Sequence, residues 1–381
     1  MGSKRILTTK AQAGMVVSAD VYTSDAQLVI PKGTVLTDEI IDALRSHSIF
    51  AVRIETDAVI LDDEIYDDEI IEELEQGSLE EETGIKTEYY SHIKNTPDFK
   101  EFQSTFINSV DNLESMFNNV VTNNDQIDTE LLLADVKSVI AKGKNSMHIF
   151  DMLQCMRGYD DTTYVHCMNV SLLSNMIGRI VYPNISHEEL DVLILSGLLC
   201  DIGKILIPEE ILMKKGRLSV SEYNIVKTHV FHGSNILNGI NNLDPRISEV
   251  AMRHHERCDG SGYPGGYRKD QIEEFARIVA IADTYDAMTS ERVYREAICP
   301  FDVMHMFERE GFVKYDVKYL LPFLDRAAQS FVNAKVKLST GEIGRVIMIN
   351  KKELSKPIVK VKDRFYDLSR DNSISIKKVL E

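Results

Sequence analysis

At 381 residues with 44% apolar side chains, the chain is long enough for one main domain of about 180 residues carrying smaller attachments. Its 60 acidic against 43 basic residues give a net charge of −17, which excludes a non-specific binder of nucleic-acid polymer or of anionic membrane. Most of the excess acid lies between Asp62 and Glu82, where there is no Lys or Arg, so the remaining surface is not globally repulsive.

Residues 1–55 predict a small β-rich module. The apolar runs Met15-Val16-Val17 and Leu28-Val29-Ile30 are followed by turn chemistry at Pro31-Lys32-Gly33, and Thr37-Asp38-Glu39 reads as an N-cap with acid in the first turn of a short helix. Residues 56–96 are an acidic segment, expected to be helical around Ile65, Ile70 and Ile71 and linker-like at its ends. Over 97–146, Phe102, Phe106, Val110, Leu113 and Phe117 recur at helical spacing and predict a helical connector into the main domain. Residues 147–330 are expected to be that domain, helix-dominated, with a 3.6-residue period around Val170, Leu173, Met176, Ile177 and Ile180. Glycine and proline concentrate there between Gly260 and Gly266. Over 331–381 the pattern alternates, as in Ala334 to Leu338, Gly344 to Ile349 and Ile358 to Val361, with a Thr340-Gly341 turn, and predicts a small antiparallel β unit. The expected fold is therefore mainly α, an all-helical core flanked by small β-rich modules at both ends.

The Met-Gly-Ser-Lys-Arg start is not followed by a secretory apolar run, and the central run Val192 to Leu199 is far short of the roughly 20 residues that span a bilayer. No membrane insertion is expected. Five cysteines, an odd number without C-x-x-C spacing, point to a reducing cytoplasm.

The stretch Gly197-Leu198-Leu199-Cys200-Asp201-Ile202-Gly203-Lys204 ends an apolar run with a carboxylate, a glycine and a lysine, chemistry that suits metal and phosphate better than a core. Hydrolysis by divalent ions needs several neutral imidazoles with carboxylates, one of them able to bridge two ions. His166, Asp201, His229, His254, His255 and Asp283 supply such a set within one helical domain. Adjacent residues on a helix point about 100° apart, so His254 and His255 can reach one centre only at a helix end, which Gly260 soon afterwards supports. His232 reads as structural, while His47, His92, His148, His187 and His305 lack partners; Cys167 and Cys258 lie near histidines without further support for a cysteine nucleophile.

The segments Tyr164-Val165-His166, Leu199 to Ile205, Lys227-Thr228-His229, His254-His255-Glu256, Asp259 to Pro264 and Ala282 to Ser290 resemble the HD-GYP family of cyclic dinucleotide phosphodiesterases, over about residues 147–330. The resemblance implies an all-helical HD-superfamily core and two ions of iron or manganese, with cyclic di-GMP opened to linear dinucleotide or GMP in bacterial signalling. It implies metal ligands at His166, Asp201, His229, His254, His255 and Asp283, with Asp201 bridging and catalytic. Lys204 is implied at a phosphate oxygen, Arg292 and Arg295 at the substrate phosphates, Asp286 beside the metal shell with the substrate, and Tyr263 at the cleft rim. The expected protein partner is a second copy of the chain or a signalling protein. Two departures stand out. The histidine of the family's His-Asp pair is Cys200 here, either a thiolate ligand or a neutral buried thiol that vacates a coordination position. The acidic residue four positions before His166 in three-metal members is Thr162, which points to two ions at most. Two other readings stay open: a catalytically degenerate cyclic dinucleotide-binding module, and a phosphohydrolase of another nucleotide.

Overall fold

The computed structural model describes residues 93–123, 127–156, 163–212, 214, 216, 218–290 and 297–380, with shorter stretches (2–7, 11–18, 21–22, 28–37, 40–41, 43–44, 51–56) before them. In the N-terminal part, strands β1 (Gly2–Leu7) and β4 (Ala51–Thr56) pair antiparallel, as do β2 (Val21–Tyr22) and β3 (Leu28–Ile30). Thr37 caps the expected short helix, its Oγ1 accepting from the Ile40 amide at 3.3 Å. Val17, Leu36, Leu44 and Val52 form the small core of this part. The helix expected in the acidic segment lies outside the described residues.

The helices then follow in order: α1 (Pro97–Asn123), α2 (Thr129–Ile140), α3 (Ser146–Met156), α4 (Thr163–Val181), α5 (His187–Leu199), α6 (Glu209–Leu212), α7 (Val220–Val226), α8 (His229–Asn238), α9 (Pro245–Arg253), α10 (Glu274–Thr289), α11 (Pro300–Met306), α12 (Phe312–Lys314) and α13 (Val317–Ser330). Phe102, Phe106, Val110, Leu113 and Phe117 are buried along one face of α1, as their spacing predicts. Their cluster continues through α4, α5 and α10 into the C-terminal sheet, ending at Ile376. Starts are marked by local chemistry: Ser186 accepts from the Glu189 amide, Ser219 and Glu222 form a capping box, and Asp244 caps α9 ahead of Pro245.

The C-terminal sheet has the order β8-β7-β6-β5-β9, all antiparallel, from β5 (Lys335–Leu338), β6 (Ile343–Met348), β7 (Ile358–Val361), β8 (Arg364–Asp367) and β9 (Ile376–Leu380). Alternate residues Val336, Leu338, Val346, Val359 and Val361 face the helices and join their core. The molecule is thus mainly helical, with small β units on both flanks, as its patterning predicts.

Candidate metal centre

Close packing of α4 on α5 creates the site. A Cβ at Gly197 would lie 3.0 Å from Ser171 Cα and 3.1 Å from the Val170 carbonyl, so the missing side chain lets the two helices touch. They run antiparallel, which brings His166, at the start of α4, beside Asp201, just past the end of α5. The chain then tightens into a 3₁₀ turn, Ile202–Leu206, where Gly203 abuts the start of α8 and sets Asp201 against His229. His254 is the C-cap of α9, so the adjacent histidines do lie at a helix end. Asp283 and Asp286, three apart on α10, share the face toward His166.

All these side chains are buried. Asp201 sits at the middle and divides its oxygens. Its Oδ1 lies 3.3 Å from His229 Nε2 and 3.5 Å from His254 Nε2; its Oδ2 lies 3.1 Å from Lys204 Nζ and 3.6 Å from His166 Nε2. His166 Nε2 also meets Asp283 Oδ1 at 2.9 Å, and its Nδ1 meets Asp286 Oδ2 at 2.7 Å. Two groups of donors therefore converge at ligand spacing: Asp201, His229, His254 and His255, and His166, Asp201 and Asp283. His229 Nδ1 is engaged by the Val226 carbonyl at 2.9 Å and His254 Nδ1 by the Ala251 carbonyl at 3.0 Å, so both turn Nε2 inward as the hydrogen-bond acceptor or ligand.

The electrostatics suit a cation. Burial pushes His229 down to about 3 despite Asp201, and burial, reinforced by His254, pushes His255 well below its usual value, so both rings are neutral at pH 7, the form a metal ion needs. Burial works to raise Asp201, but Lys204 and the imidazoles of His229 and His254 hold it well below the usual carboxylate range. Burial alone would lower His166; its hydrogen bonds to Asp283 and Asp286 outweigh that and raise it to about 9. Neither oxygen of Asp201, nor Nε2 of His229 or His254, makes a hydrogen bond, although all are buried. Such unmet lone pairs cost stability, and a divalent ion would satisfy them together, so the residues fit the metal that their chemistry suggests.

The structure brings together His166, Asp201, Lys204, His229, His254, His255 and Asp283. It does not bring Cys200 with them as a ligand. The Cys200 thiol is fully buried in the apolar core, donates to the Gly197 carbonyl at 3.4 Å, and stands outside both donor groups; burial, then Asp201, raise it well above the usual thiol value. Asp286 also differs from its expected place at the substrate. It is fully buried behind His166, where it orients the imidazole. Tyr263 is half-buried, its ring stacked on His255 with centroids 4.7 Å apart. Arg292, Arg295 and Thr162 lie outside the described residues.

Two features escape sequence reading. Lys227 Nζ sits 4.7 Å from the Tyr223 ring centroid and 5.8 Å from that of Tyr263, placing a cation beside the ring that stacks on His255. Buried Glu256 accepts from the amides of Gly265 at 2.6 Å and Tyr267 at 2.9 Å and so clamps the loop that carries Tyr263. The only signal was an acid placed between a helix end and a glycine-rich loop. Each bond to this carboxylate contributes roughly 1.5–3 kcal/mol, so Glu256→Ala is expected to raise amide hydrogen exchange across residues 257–267 at least tenfold. Unchanged exchange there would show that the loop holds itself.

The HD domain family model matches residues 144–318. A cyclic di-GMP phosphodiesterase of Pseudomonas aeruginosa is 34% identical over 204 residues, 53% of this chain and 48% of that one. The cyclic di-GMP phosphodiesterase response regulator RpfG of Xanthomonas campestris is 44% identical over 114 residues, 30% of each chain. A 3'3'-cGAMP-specific phosphodiesterase of Vibrio cholerae is 32% identical over 149 residues, 39% of this chain and 28% of that one. The chain thus spans about half the length, or less, of these relatives. A solved HDG"Y"P protein from Bdellovibrio bacteriovorus superposes with a TM-score of 0.52 at 15% identity, over 85% of this chain and 98% of its own, which is a likeness of fold. Residues 144–318, the stretch that matches the HD domain family model, hold every donor of the candidate metal centre.

Proposed function

We propose that this protein is a metal-dependent phosphodiesterase that opens a cyclic dinucleotide, with cyclic di-GMP as substrate and the linear dinucleotide or GMP as product. The observation that carries the reading is Asp201, whose two oxygens face separate donor groups while Lys204 lies 3.1 Å away. The names of the similar relatives, all cyclic dinucleotide phosphodiesterases, support the substrate class. Divalent ions held by these groups, iron or manganese in this reading, would polarise a phosphoryl oxygen and lower the pKa of water. The chain's own residues supply the rest. Asp201 joins the two groups, and His229 and His254 are held by backbone carbonyls so that no ring need turn. Lys204 is placed to exchange its Asp201 contact for a phosphate oxygen, and Tyr263 forms the wall against which a base can stack. In this reading Arg292 and Arg295 hold the phosphates.

Among the described residues no helix is long and apolar enough to cross a membrane, and all five cysteines are free thiols. The thiols support a place in the cytoplasm, in bacterial signalling. One observation favours a second reading, a degenerate module that binds the dinucleotide without cutting it: the Cys200 thiol meets the Gly197 carbonyl and stands outside both donor groups.

Metal content and turnover decide between them. Protein purified without oxygen is expected to hold iron or manganese and to hydrolyse cyclic di-GMP under Fe(II) or Mn(II), with 3'3'-cGAMP as the comparison substrate. Arg292→Ala and Arg295→Ala are each expected to weaken dinucleotide binding about 10- to 100-fold with metal content unchanged, the effect of losing one charge-assisted contact. Wild-type protein that stays metal-free and inactive under both ions, yet binds the dinucleotide, sinks the enzyme reading. Unaltered binding in both arginine variants sinks the assigned cleft.

A further inference from the structure

The two donor groups around Asp201 differ in how ready they are for an ion. In the first, four side chains converge: Asp201, His229, His254 and His255. Here His229 and His254 each have Nδ1 engaged by a backbone carbonyl, at 2.9 Å and 3.0 Å, and aim Nε2 at Asp201 Oδ1. Neither of these two rings has to turn for an ion to gain its Nε2.

The second group has three side chains, His166, Asp201 and Asp283. Both ring nitrogens of His166 are already engaged by carboxylates, Nδ1 by Asp286 at 2.7 Å and Nε2 by Asp283 at 2.9 Å. An ion entering here must break the Nε2 contact to gain that ligand. The residue next to Asp201 offers no replacement donor, because the Cys200 sulfur is turned toward the Gly197 carbonyl and packed in the same apolar cluster as Cys167, Leu198 and Leu199.

We propose that the two groups bind divalent cations with unequal affinity: Asp201, His229, His254 and His255 take one ion tightly, and His166, Asp201 and Asp283 take a second weakly because Cys200 leaves that group a donor short. The inference rests on the reading that the centre holds divalent cations. Even an outer-shell partner of a ligand changes metal affinity by about 10- to 100-fold, so a missing donor together with a bond to be broken separates the two sites by at least about tenfold.

The test uses the full chain stripped of metal and titrated with Mn(II) alone, with free Mn(II) followed by electron paramagnetic resonance. Wild type is expected to show one tight equivalent and one at least about tenfold weaker. Cys200→Ala, a small change that the core tolerates, should leave both classes as they are, since the sulfur ligates neither ion. Cys200→His has a longer side chain, whose ring nitrogen can extend past the thiol position toward Asp201 and Asp283, both close enough to act on Cys200, and should tighten the weak class alone. Two equivalents of equal affinity in wild type overturn this inference and leave the phosphodiesterase reading standing. A weakened class in Cys200→Ala overturns it too, by showing sulfur as a ligand. No Mn(II) binding by wild type or by either variant overturns both the inference and the metal-dependent reading.

Discussion

Asp201→Asn is expected to abolish hydrolysis and to lower the metal affinity of at least one of the two donor groups by more than about 100-fold, because one carboxylate belongs to both groups and the amide keeps a single acceptor oxygen. Whichever way the amide is turned, its NH₂ faces either the Lys204 ammonium or the Nε2 atoms of His229 and His254, so at least one group loses a ligand outright. The substitution also leaves the buried Lys204 ammonium without its carboxylate, at a cost of roughly 1–3 kcal/mol in stability. Circular dichroism separates this cost from loss of fold. Equilibrium dialysis with Mn(II) and cyclic di-GMP turnover read the site. A folded variant that retains both classes of Mn(II) binding, or turnover, would show that Asp201 is not the shared residue.

Gly203→Ala should harm the same site without touching any ligand. An added Cβ would stand 1.9 Å from the His229 carbonyl oxygen and 2.4 Å from the Gly233 nitrogen, and both are backbone atoms that no rotamer change can clear. The 3₁₀ turn and α8 must separate, at a cost of roughly 1–3 kcal/mol or more. Since the turn follows Asp201 directly and α8 begins at His229, that separation stretches the Asp201 to His229 approach, now 3.3 Å, and metal affinity should fall with stability. Gly341→Ala is the control. Its φ of +80° adds strain, yet nothing lies within 4 Å of the new Cβ, so a loss of about 1 kcal/mol with unchanged metal binding is expected. Urea unfolding and Mn(II) affinity of the two variants check the contrast, and wild-type stability in Gly203→Ala would show that the close approach is not needed.

The amino-acid sequence by itself determined the helical face of α1 and the alternating strands after residue 334, because burial periods are written in residue order and need no partner to be read. It also determined the donor types and their order, and the placement of His254 and His255 at a helix end, for the same local reason. Tertiary structure alone decided what each side chain faces. His166 meets Asp286 across 120 residues of chain, and only the packing of α4 against α10 shows that this buried carboxylate orients an imidazole. Glu256 became a loop clamp only when the chain turned back to present the amides of Gly265 and Tyr267. Cys200 shows the limit most clearly. Residue type allowed it to be a ligand or a core thiol; in the fold the thiol donates to the Gly197 carbonyl and stands outside both donor groups, while Asp201, one residue on, is turned into the donor cluster.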